Sequence, residues 1–292
     1  MISIFTPTYN RKTLLKELKK CLDCQTNFEF EWIIVDDGST DGTKEMANLW
    51  EKEKNQYMIN FIRQENQGKH IAFNTAVQKA NGEWFICVDS DDKLTKNAVE
   101  IMLQDVRSKK VNSQDIGIVY PRDLKGSNDK IAWEKIDGKK IDIIDLKEKY
   151  KIPESAILLR RKYLLNNQFP KFKQEKFLPE GWLYQKLIHE GKFLAQNKVF
   201  YIAEYLEEGL TKNIWRLWKK NPEGILNILK TKYYIMNKYS GKDKILGKIK
   251  CIINLNSLCL ATGKNILKYT PSNSMSIIFL LPSYYFCYKR YR

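Results

Sequence analysis

The sequence predicts an α/β protein with a mixed, mostly parallel sheet flanked by helices, followed by a helical, basic C-terminal region. Short apolar runs alternate with helix-like segments through the first half of the chain, and turn-rich sequences separate them. Charge is distributed unevenly. Residues 1–212 contain 35 Lys and Arg against 32 Asp and Glu, whereas residues 213–292 contain 15 against 2. We therefore predict one domain over 1–212 and a separate helical, basic region over 213–292.

The first elements follow one another as expected for βαβ units. Ile2–Thr6 is an apolar run typical of a buried strand, and leucines at three- and four-residue spacing from Leu14 to Leu22 predict a helix after it. The next predicted elements are a strand at Trp32–Val35, a helix from Thr43 to about residue 54, and a strand near Asn60–Arg63.

The pattern continues with a predicted helix at His70–Ala80, a turn at Asn81 and Gly82, and a strand at Trp84–Val88. Beyond it the pattern is mixed. We predict strands near Gly117–Tyr120 and Phe193–Tyr201, a helix at Glu180–His189, and polar turns at Asp123–Asp129 and Asp137–Lys140.

Two acidic turns each follow a predicted strand. The first begins at Asp36 and Asp37, and the second contains Asp89, Asp91 and Asp92. Carboxyl ends of parallel strands meet at one edge of a sheet, where ligands collect, so we expect the two turns to lie together. Hard divalent cations such as Mg²⁺ and Mn²⁺ prefer such oxygen ligands, with phosphate and water completing the shell. The alternative for each turn alone is a solvated loop.

Five motifs follow one another along the chain. They are Thr-Pro-Thr-Tyr-Asn-Arg at 6–11, Val-Asp-Asp-Gly-Ser-Thr-Asp at 35–41, Asn-Gln-Gly-Lys at 66–69 with Asn74 and Ala76, Asn-Gly at 81–82, and Val-Asp-Ser-Asp-Asp at 88–92. In this order and approximate spacing they resemble family 2 glycosyltransferases with the GT-A (Rossmann-like) fold, over roughly residues 1–210. The resemblance implies a catalytic domain over 1–212, with a nucleotide-sugar-binding half over 1–120 and an acceptor-binding half over 121–212.

The resemblance implies a role for each matching residue. The expected nucleotide and donor contacts are Thr6, Pro7, Tyr9, Arg11, Asp36, Asp37, Asn66, Gly68, Lys69, Asp89 and Ser90. Tyr9 offers a ring for base stacking, and Asp36 or Asp37 would hydrogen-bond the base, expected to be uracil. Arg11 is by charge a candidate for phosphate, and otherwise a surface arginine at a helix start. The metal ligands implied are Asp91, Asp89 and Asp92, for Mn²⁺ or Mg²⁺.

Inverting sugar transfer also needs a base for the acceptor hydroxyl. Family members place an acidic residue at a helix start in the second half, and Leu-Pro-Glu-Gly-Trp at 178–182 resembles one form of that sequence, which makes Glu180 the candidate. The Glu-Asp form is absent. The alternative is that Glu180 only favours a helix N-terminus through its charge. His70 is interpreted as a diphosphate contact or a packing residue, and His189 as structural.

The C-terminal region combines its positive charge with Trp, Tyr, Ile and Leu, as in helices at an anionic membrane interface. Met275–Tyr288 is apolar but too short to span a bilayer, so we interpret it as interfacial or packed. The alternatives are an ordinary helical cap with a solvated basic face and, less well supported, a nucleic-acid surface, for which no motif is present.

We expect a cytoplasmic protein with reduced thiols, because residues 1–7 lack signal-peptide features. The basic C-terminal region predicts that the protein lies at the inner face of the cell membrane. Cys21 and Cys24 form a CxxC, interpreted as helix-face cysteines. The resemblance implies a UDP-sugar and a lipid-linked oligosaccharide as partners, and we expect no nucleic acid. The alternatives are a nucleotidyltransferase, whose Gly-rich first turn is missing, a non-catalytic nucleotide-sugar-binding protein, and a peripheral membrane scaffold.

Overall fold

The computed structural model describes residues 1–123, 129–203 and 213–291. The described residues form two compact units, the first from 1–169 with 186–203 and the second from 170–185 with 213–291. The strands are β1 (Ile2–Thr8), β2 (Phe30–Asp36), β3 (Met58–Arg63), β4 (Trp84–Cys87), β5 (Lys93–Leu94), β6 (Asp115–Tyr120), β7 (Arg122–Asp123), β8 (Lys140–Ile141), β9 (Ala156–Arg160), β10 (Lys192–Ala195) and β11 (Tyr201–Ile202).

Helices flank these strands in the first unit and make up most of the second. They are α1 (Lys12–Asp23), α2 (Thr43–Lys52), α3 (Lys69–Lys79), α4 (Ala98–Val106), α5 (Lys130–Ile136), α6 (Ile143–Glu148), α7 (Arg161–Asn166), α8 (Gly181–Leu187), α9 (Ile214–Lys220), α10 (Pro222–Ile235), α11 (Gly241–Thr262), α12 (Ile266–Tyr269), α13 (Asn273–Ile278) and α14 (Leu280–Tyr291). A 3₁₀ turn, Met236–Lys238, follows α10.

The first unit is built on an eight-stranded sheet in the order β3-β2-β1-β4-β9-β6-β10-β8. Strands β3, β2, β1 and β4 are parallel, β9 runs antiparallel between β4 and β6, and β8 is an antiparallel edge. Every residue of β2 is buried, as expected for a strand covered on both faces. The predicted α/β class with a mixed, mostly parallel sheet is confirmed.

The predicted strand at Phe193–Tyr201 is wrong as a single element. Lys192–Ala195 joins the large sheet beside β6, whereas Tyr201–Ile202 joins a second, three-stranded sheet between β5 and β7. The chain leaves the first sheet at Gln196, whose N–H still donates to the Val119 carbonyl at 3.0 Å. The central strand β9 was not predicted. Residues 124–128 of the predicted turn at 123–129 lie outside the described residues.

A buried glutamate explains the Asn81-Gly82 turn. The Glu31 carboxylate, fully buried in β2, accepts hydrogen bonds from the Asn81 N–H at 2.6 Å and side chain at 2.8 Å, and from the Gly82 N–H at 3.1 Å. Ser3 and Asn60 side chains donate to the same carboxylate. A Cβ at Gly82 would lie 2.6 Å from the Ser3 Oγ, so only glycine fits. This turn leads the chain into β4.

We predict that Glu31→Ala lowers the free energy of unfolding by about 3 kcal/mol, because several buried donors lose their acceptor at once. Chemical denaturation followed by tryptophan fluorescence measures the change. Glu134→Ala, at an exposed position of α5, is the matched control and should unfold as the wild type does. Unfolding of Glu31→Ala at the wild-type denaturant concentration would contradict this account of the turn.

In the second unit, α11 packs against α10 and α14. Residues 170–185 belong to this unit: the Glu175 carboxylate accepts from the N–H groups of Glu223 and Gly224, at 2.7 and 3.0 Å, and so caps the start of α10. The predicted boundary at 212 instead placed these residues in the catalytic domain. The functional division of the chain stays a prediction.

Among the described residues, α11 alone is long and apolar enough to cross a membrane, judged by length and composition. A core helix passes the same test, and α11 buries Cys251, Ile252, Leu255, Leu258 and Cys259. The six cysteines are free thiols, and Cys21 lies on α1 as expected.

Candidate functional site

Four loops follow the carboxyl ends of the neighbouring parallel strands β1 to β4. They contain the motif segments at 9–11, 37–42, 64–68 and 88–92. Because β3, β2, β1 and β4 pair in parallel, these loops leave the sheet at the same edge. The two acidic turns therefore lie on one side of the sheet.

Side-chain bonds tie the first two loops together. The Asn10 side-chain oxygen accepts from the Thr40 N–H at 2.8 Å, and the Ser39 hydroxyl accepts from the Asn10 N–H at 2.8 Å. Asn10 adopts a left-handed conformation, with φ of 51°, which asparagine tolerates better than most residues. The asparagine of the first motif thus holds the second motif in place.

Asp37 fixes the third loop. Its carboxylate accepts from the Gln64 side chain at 2.8 Å and from the N–H groups of Gln67 and Gly68 at 2.9 and 2.8 Å. At Gly38, where φ is +89°, a Cβ would lie 3.2 Å from the Asn66 nitrogen, so the loop approaches the glycine closely. The Asp-Asp-Gly motif therefore shapes the segment at 64–68.

Asp36 differs from its neighbour. It is fully buried, and one oxygen accepts from the Ser39 N–H at 2.9 Å. The other oxygen has no hydrogen bond within the described part of the chain and lies 3.8 Å from the Arg63 guanidinium. Of the two aspartates expected to bind the base, Asp36 is the one with an oxygen that can still accept a hydrogen bond.

The first motif places its residues in different environments. The Thr6 hydroxyl is buried and accepts from the Trp32 indole N–H at 3.0 Å, so it is satisfied inside the core. Pro7 is half-buried, whereas Tyr9 is 50% exposed. The Tyr9 ring is accessible for stacking, and the predicted role of Thr6 would have to come from its backbone.

Each carboxylate of the second acidic turn has a charged or hydroxyl partner. Lys69, at the start of α3, contacts both oxygens of Asp89, at 2.7 and 2.9 Å. Arg11 contacts Asp91 at 2.9 Å. The side chains of Asp89 and Asp91 keep 27% and 16% of their surface exposed. Four predicted site residues therefore form two neighbouring ion pairs.

Asp92 points inward. It is 6% exposed and accepts from the Tyr201 hydroxyl at 2.5 Å, while the same hydroxyl accepts from the Asp89 N–H at 3.2 Å. The Arg122 guanidinium stacks on the Tyr201 ring at 4.3 Å and lies 4.0 Å from Asp92. These contacts make Asp92 a support of the turn rather than a side chain that is available to a metal.

Sequence reasoning missed Tyr201 and Arg122. Both come from the three-stranded sheet, Tyr201 from β11 and Arg122 from β7, far along the chain from the aspartates that they contact. Their residue types and spacing carry no motif that indicates this site. Ser90, between the aspartates, is buried, and its hydroxyl has no hydrogen bond within the described ranges.

Charge and burial shift the pKa values of Asp89 and Asp92 in opposite directions. Burial would raise the pKa of Asp89, but the positive charges of Lys69, Arg122 and Arg11 outweigh it and hold that pKa below its usual value. Burial raises the pKa of Asp92 to about 6, and the nearby carboxylates of Asp89 and Asp91 add to the rise. Asp89 is therefore ionised at neutral pH.

The aspartates suit a hard cation by ligand type. Among residues 1–123, 129–203 and 213–291 no group of three or more His, Cys, Asp or Glu side chains is arranged to hold a metal. Mg²⁺ commonly takes only one or two carboxylates and fills its shell with water and phosphate. Asp91 and Asp89 meet that smaller requirement by ligand type, and in this structure they are paired with Arg11 and Lys69.

His70 is packed rather than open to a ligand. It is 3% exposed in α3, and its ring meets Phe169 edge-on with 6.1 Å between centroids. Burial lowers the pKa of His70 to about 4. His189 is exposed beyond the end of α8. The packing interpretation of His70 fits these contacts better than a diphosphate contact.

We predict that His70 and Asp92 affect acid stability in opposite directions. The pKa of His70 is lower in the folded state than the ordinary value of 6.5, so stability falls as pH drops from 6.5 towards 4. The pKa of Asp92 is higher than its ordinary 3.8, so stability rises as pH drops from about 6 towards 4. The loss of stability as pH drops towards 4 should therefore be smaller in His70→Gln, and larger in Asp92→Asn, than in the wild type.

Melting temperatures measured without added metal between pH 4 and pH 7 test both variants against the wild type. Three parallel curves of melting temperature against pH would show that neither group titrates in this window.

Glu180 lies in the second unit and precedes α8. It is half-buried, and its carbonyl accepts from the Tyr184 N–H at 3.1 Å in the first turn of the helix. The helix start that the sequence predicted is present. The role of its carboxylate stays a prediction.

Comparison with known proteins agrees with the motifs. The family model described as glycosyl transferase family 2 matches residues 3–166. Among curated proteins, the chain is 34% identical over 104 residues to a putative teichuronic acid biosynthesis glycosyltransferase, TuaG of Bacillus subtilis, covering 36% of this chain and 41% of that protein. It is 38% identical over 104 residues to the abequosyltransferase RfbV of Salmonella typhimurium, covering 35% of this chain and 31% of the relative. The chain thus matches less than half the length of either protein.

Solved structures with low sequence identity share the fold. S. aureus TarS 1–349 in complex with UDP superposes with a TM-score of 0.57 at 17% identity, over 99% of this chain and 88% of that one. The Pyrobaculum calidifontis mannosyltransferase PcManGT, in complex with GDP-Man and Mn²⁺, gives 0.56 at 15% identity, over 100% and 81%. Since the family model matches more than half of the 292 residues, and the fold agrees, the chain belongs to glycosyltransferase family 2.

Proposed function

We propose that the protein transfers a sugar from a UDP-sugar, with inversion and with the help of a divalent metal, to a lipid-linked oligosaccharide of a surface polysaccharide. One observation carries the proposal: Asp89 and Asp91 lie at the carboxyl edge of the parallel strands of a family 2 domain, each beside a basic side chain. The UDP complex of TarS supports the donor, and the assignment of TuaG to teichuronic acid biosynthesis supports a surface polysaccharide as the product.

The donor would bind across the four loops. The exposed Tyr9 ring supplies a surface on which a base can stack, and Asp36 supplies a buried acceptor oxygen. Arg11 and Lys69 lie at the carboxylates, where the diphosphate is expected, and their charges stabilise it as it leaves. Asp91 and Asp89 would hold Mn²⁺ or Mg²⁺, which, when bound, neutralises the charge of the leaving diphosphate.

Glu180 would accept the proton of the acceptor hydroxyl as that oxygen bonds to the anomeric carbon and the nucleoside diphosphate departs from the opposite face. The proposal for Glu180 is supported by the Pro-Glu-Gly sequence before α8. The location at the inner face of the cell membrane is supported by the excess of Lys and Arg in 213–292.

The test is release of nucleoside diphosphate from a panel of UDP-, GDP- and CDP-sugars by the purified chain. We expect slow release from one UDP-sugar, which EDTA abolishes and Mn²⁺ restores. No release from any donor, with or without metal and detergent-solubilised lipid acceptors, would oppose catalysis and favour a binding protein.

A further inference from the structure

The contact between α11 and the α13–α14 pair is polar at its centre. Asn256 and Ser257 of α11, Ser276 of α13 and Ser283 of α14 are at most 2% exposed. The Ser257 hydroxyl shares its proton between the Ile253 carbonyl of its own helix at 2.6 Å and the Ser283 carbonyl of α14 at 2.8 Å, and the Asn256 amide donates to the Ser276 carbonyl at 3.0 Å. Small residues and hydrogen bonds thus join the helices, with apolar contacts from Met275 and Phe279 beside them.

The opposite side of the same pair is apolar and exposed. Seven large side chains within residues 277–288 are exposed by 42% to 84%, and they are Ile277, Ile278, Leu280, Leu281, Tyr284, Tyr285 and Tyr288. We call these seven the 277–288 face. Leu281, at 84%, is the most exposed of them. A helix of a water-soluble protein normally buries such residues and exposes its serines.

At these positions, with serines buried and large apolar side chains exposed, the arrangement is the reverse of that in water and matches helices that contact lipid. Helices in a bilayer pack through Ser, Thr, Asn and Gly, because packing and hydrogen bonds rather than water exclusion join them, and they leave apolar side chains to the lipid. Contiguous exposed apolar surface of this kind marks an interaction site.

The charge of residues 213–292 indicates what kind of partner contacts the 277–288 face. Residues 213–292 have a net charge of +13, and their two acidic residues are Glu223 and Asp243. Glu223 is already paired with Lys264 at 2.6 Å. Lys and Arg beside exposed tyrosines and leucines favour the interface of a bilayer that contains anionic lipids.

The lengths of α13 and α14 favour a position in the membrane interface over a transmembrane span. The α13 and α14 helices have 6 and 12 residues, and Pro282 lies in the first turn of α14. A spanning helix needs about 20 apolar residues. The longer helix, α11, instead buries Leu255, Leu258 and Cys259 completely in the core of the second unit.

We propose that α13 and α14 form a membrane-insertion element, which lies in the interface of an anionic bilayer with the 277–288 face embedded and α11 as its support. The proposal rests on the membrane location proposed above, and it adds the element and the side chains that insert. It does not depend on the sugar transfer, because vesicle binding is measured without donor or acceptor.

The experiment is co-sedimentation of the full chain with vesicles of phosphatidylcholine alone and of phosphatidylcholine with phosphatidylglycerol, at low and high salt. The test variant is Ile277→Ser/Ile278→Ser/Leu281→Ser. The control is Leu49→Ser/Ile131→Ser, since both residues are also large, apolar and exposed, at 62% and 64%, but lie in the first unit. UDP binding by each variant, measured separately, reports whether the donor site is intact.

We expect the wild type and the control to bind the phosphatidylglycerol vesicles, more weakly at high salt, and the triple variant to bind at least about tenfold more weakly. Wild-type binding by the triple variant would overturn the proposal and leave charge alone as the attraction. A wild-type dimer in solution that ignores vesicles, and that the triple variant converts to monomer, would also overturn it and assign the 277–288 face to a second copy.

Discussion

Asp91→Asn is expected to lower metal-dependent donor turnover by about a thousand-fold while the fold stays intact. The asparagine has nearly the same shape, but it removes the charge that a divalent cation requires. The side chain of Asp91 is 16% exposed at the edge of the sheet, so water can reach the neutral amide and no buried polar group is left without a hydrogen bond. Circular dichroism and the melting temperature should therefore match those of the wild type.

The control for this variant is Asp23→Asn. Asp23 ends α1, is 44% exposed and is ion-paired with Lys19 at 2.9 Å, so it resembles Asp91 in chemistry but lies at the other end of the helix from Arg11. The assay is nucleoside diphosphate release in the presence of Mn²⁺. Turnover of Asp91→Asn within a few-fold of the wild type would remove Asp91 from the site.

Glu180→Gln is expected to keep donor binding and to lower sugar transfer by about 10² to 10⁴-fold, because the amide cannot accept the acceptor proton. The carbonyl of Glu180 bonds within the first turn of α8, and this bond does not involve the side chain that changes. This variant should therefore keep the wild-type affinity for the donor while its transfer rate falls.

Glu190→Gln is the control, since Glu190 is exposed three residues beyond the end of α8. Titration with UDP and a single-turnover transfer assay report the two quantities. If Glu180→Gln transfers sugar at the wild-type rate, another residue is the base. If it loses UDP binding as well, its role is structural.

Much of the first sheet could be predicted because its strands are continuous apolar runs. The runs at 2–6, 32–35 and 84–88 are buried on both faces, and acidic or turn-forming residues mark their ends. The helix at 70–80 was found from its alanine spacing and begins one residue earlier, at Lys69. Local sequence was sufficient for these elements.

The elements that were missed depend on contacts between distant residues. The apolar sequence of β9 is compatible with a strand, but its antiparallel place between β4 and β6 depends on partners far along the chain. Similarly, Tyr201 was predicted as the end of one strand, whereas its hydroxyl bonds to Asp92 from a second sheet. No local period reports which sheet a short strand will join.

The sequence motifs also predicted site residues, but they do not distinguish a side chain that contacts a ligand from one that holds a loop in place. Asp37, Asp92 and Thr6 are each satisfied by neighbouring groups of the protein, whereas Tyr9 and Asp36 keep an exposed ring and an oxygen without a hydrogen bond among the described residues. A repeated residue type such as aspartate looks the same in sequence whether it holds a loop or a ligand. Hydrogen-bond partners distinguish the two.

We propose that the four loops form a donor site which binds a uridine nucleotide through a metal. Calorimetric titration of UDP, GDP and CDP into the purified chain, with and without Mn²⁺, is the test of this site. We predict binding of UDP in preference to GDP and CDP, and loss of that binding without Mn²⁺ and in Asp91→Asn. Absence of binding by all three nucleotides in the presence of Mn²⁺ would contradict the claim and would leave the family fold without a donor site.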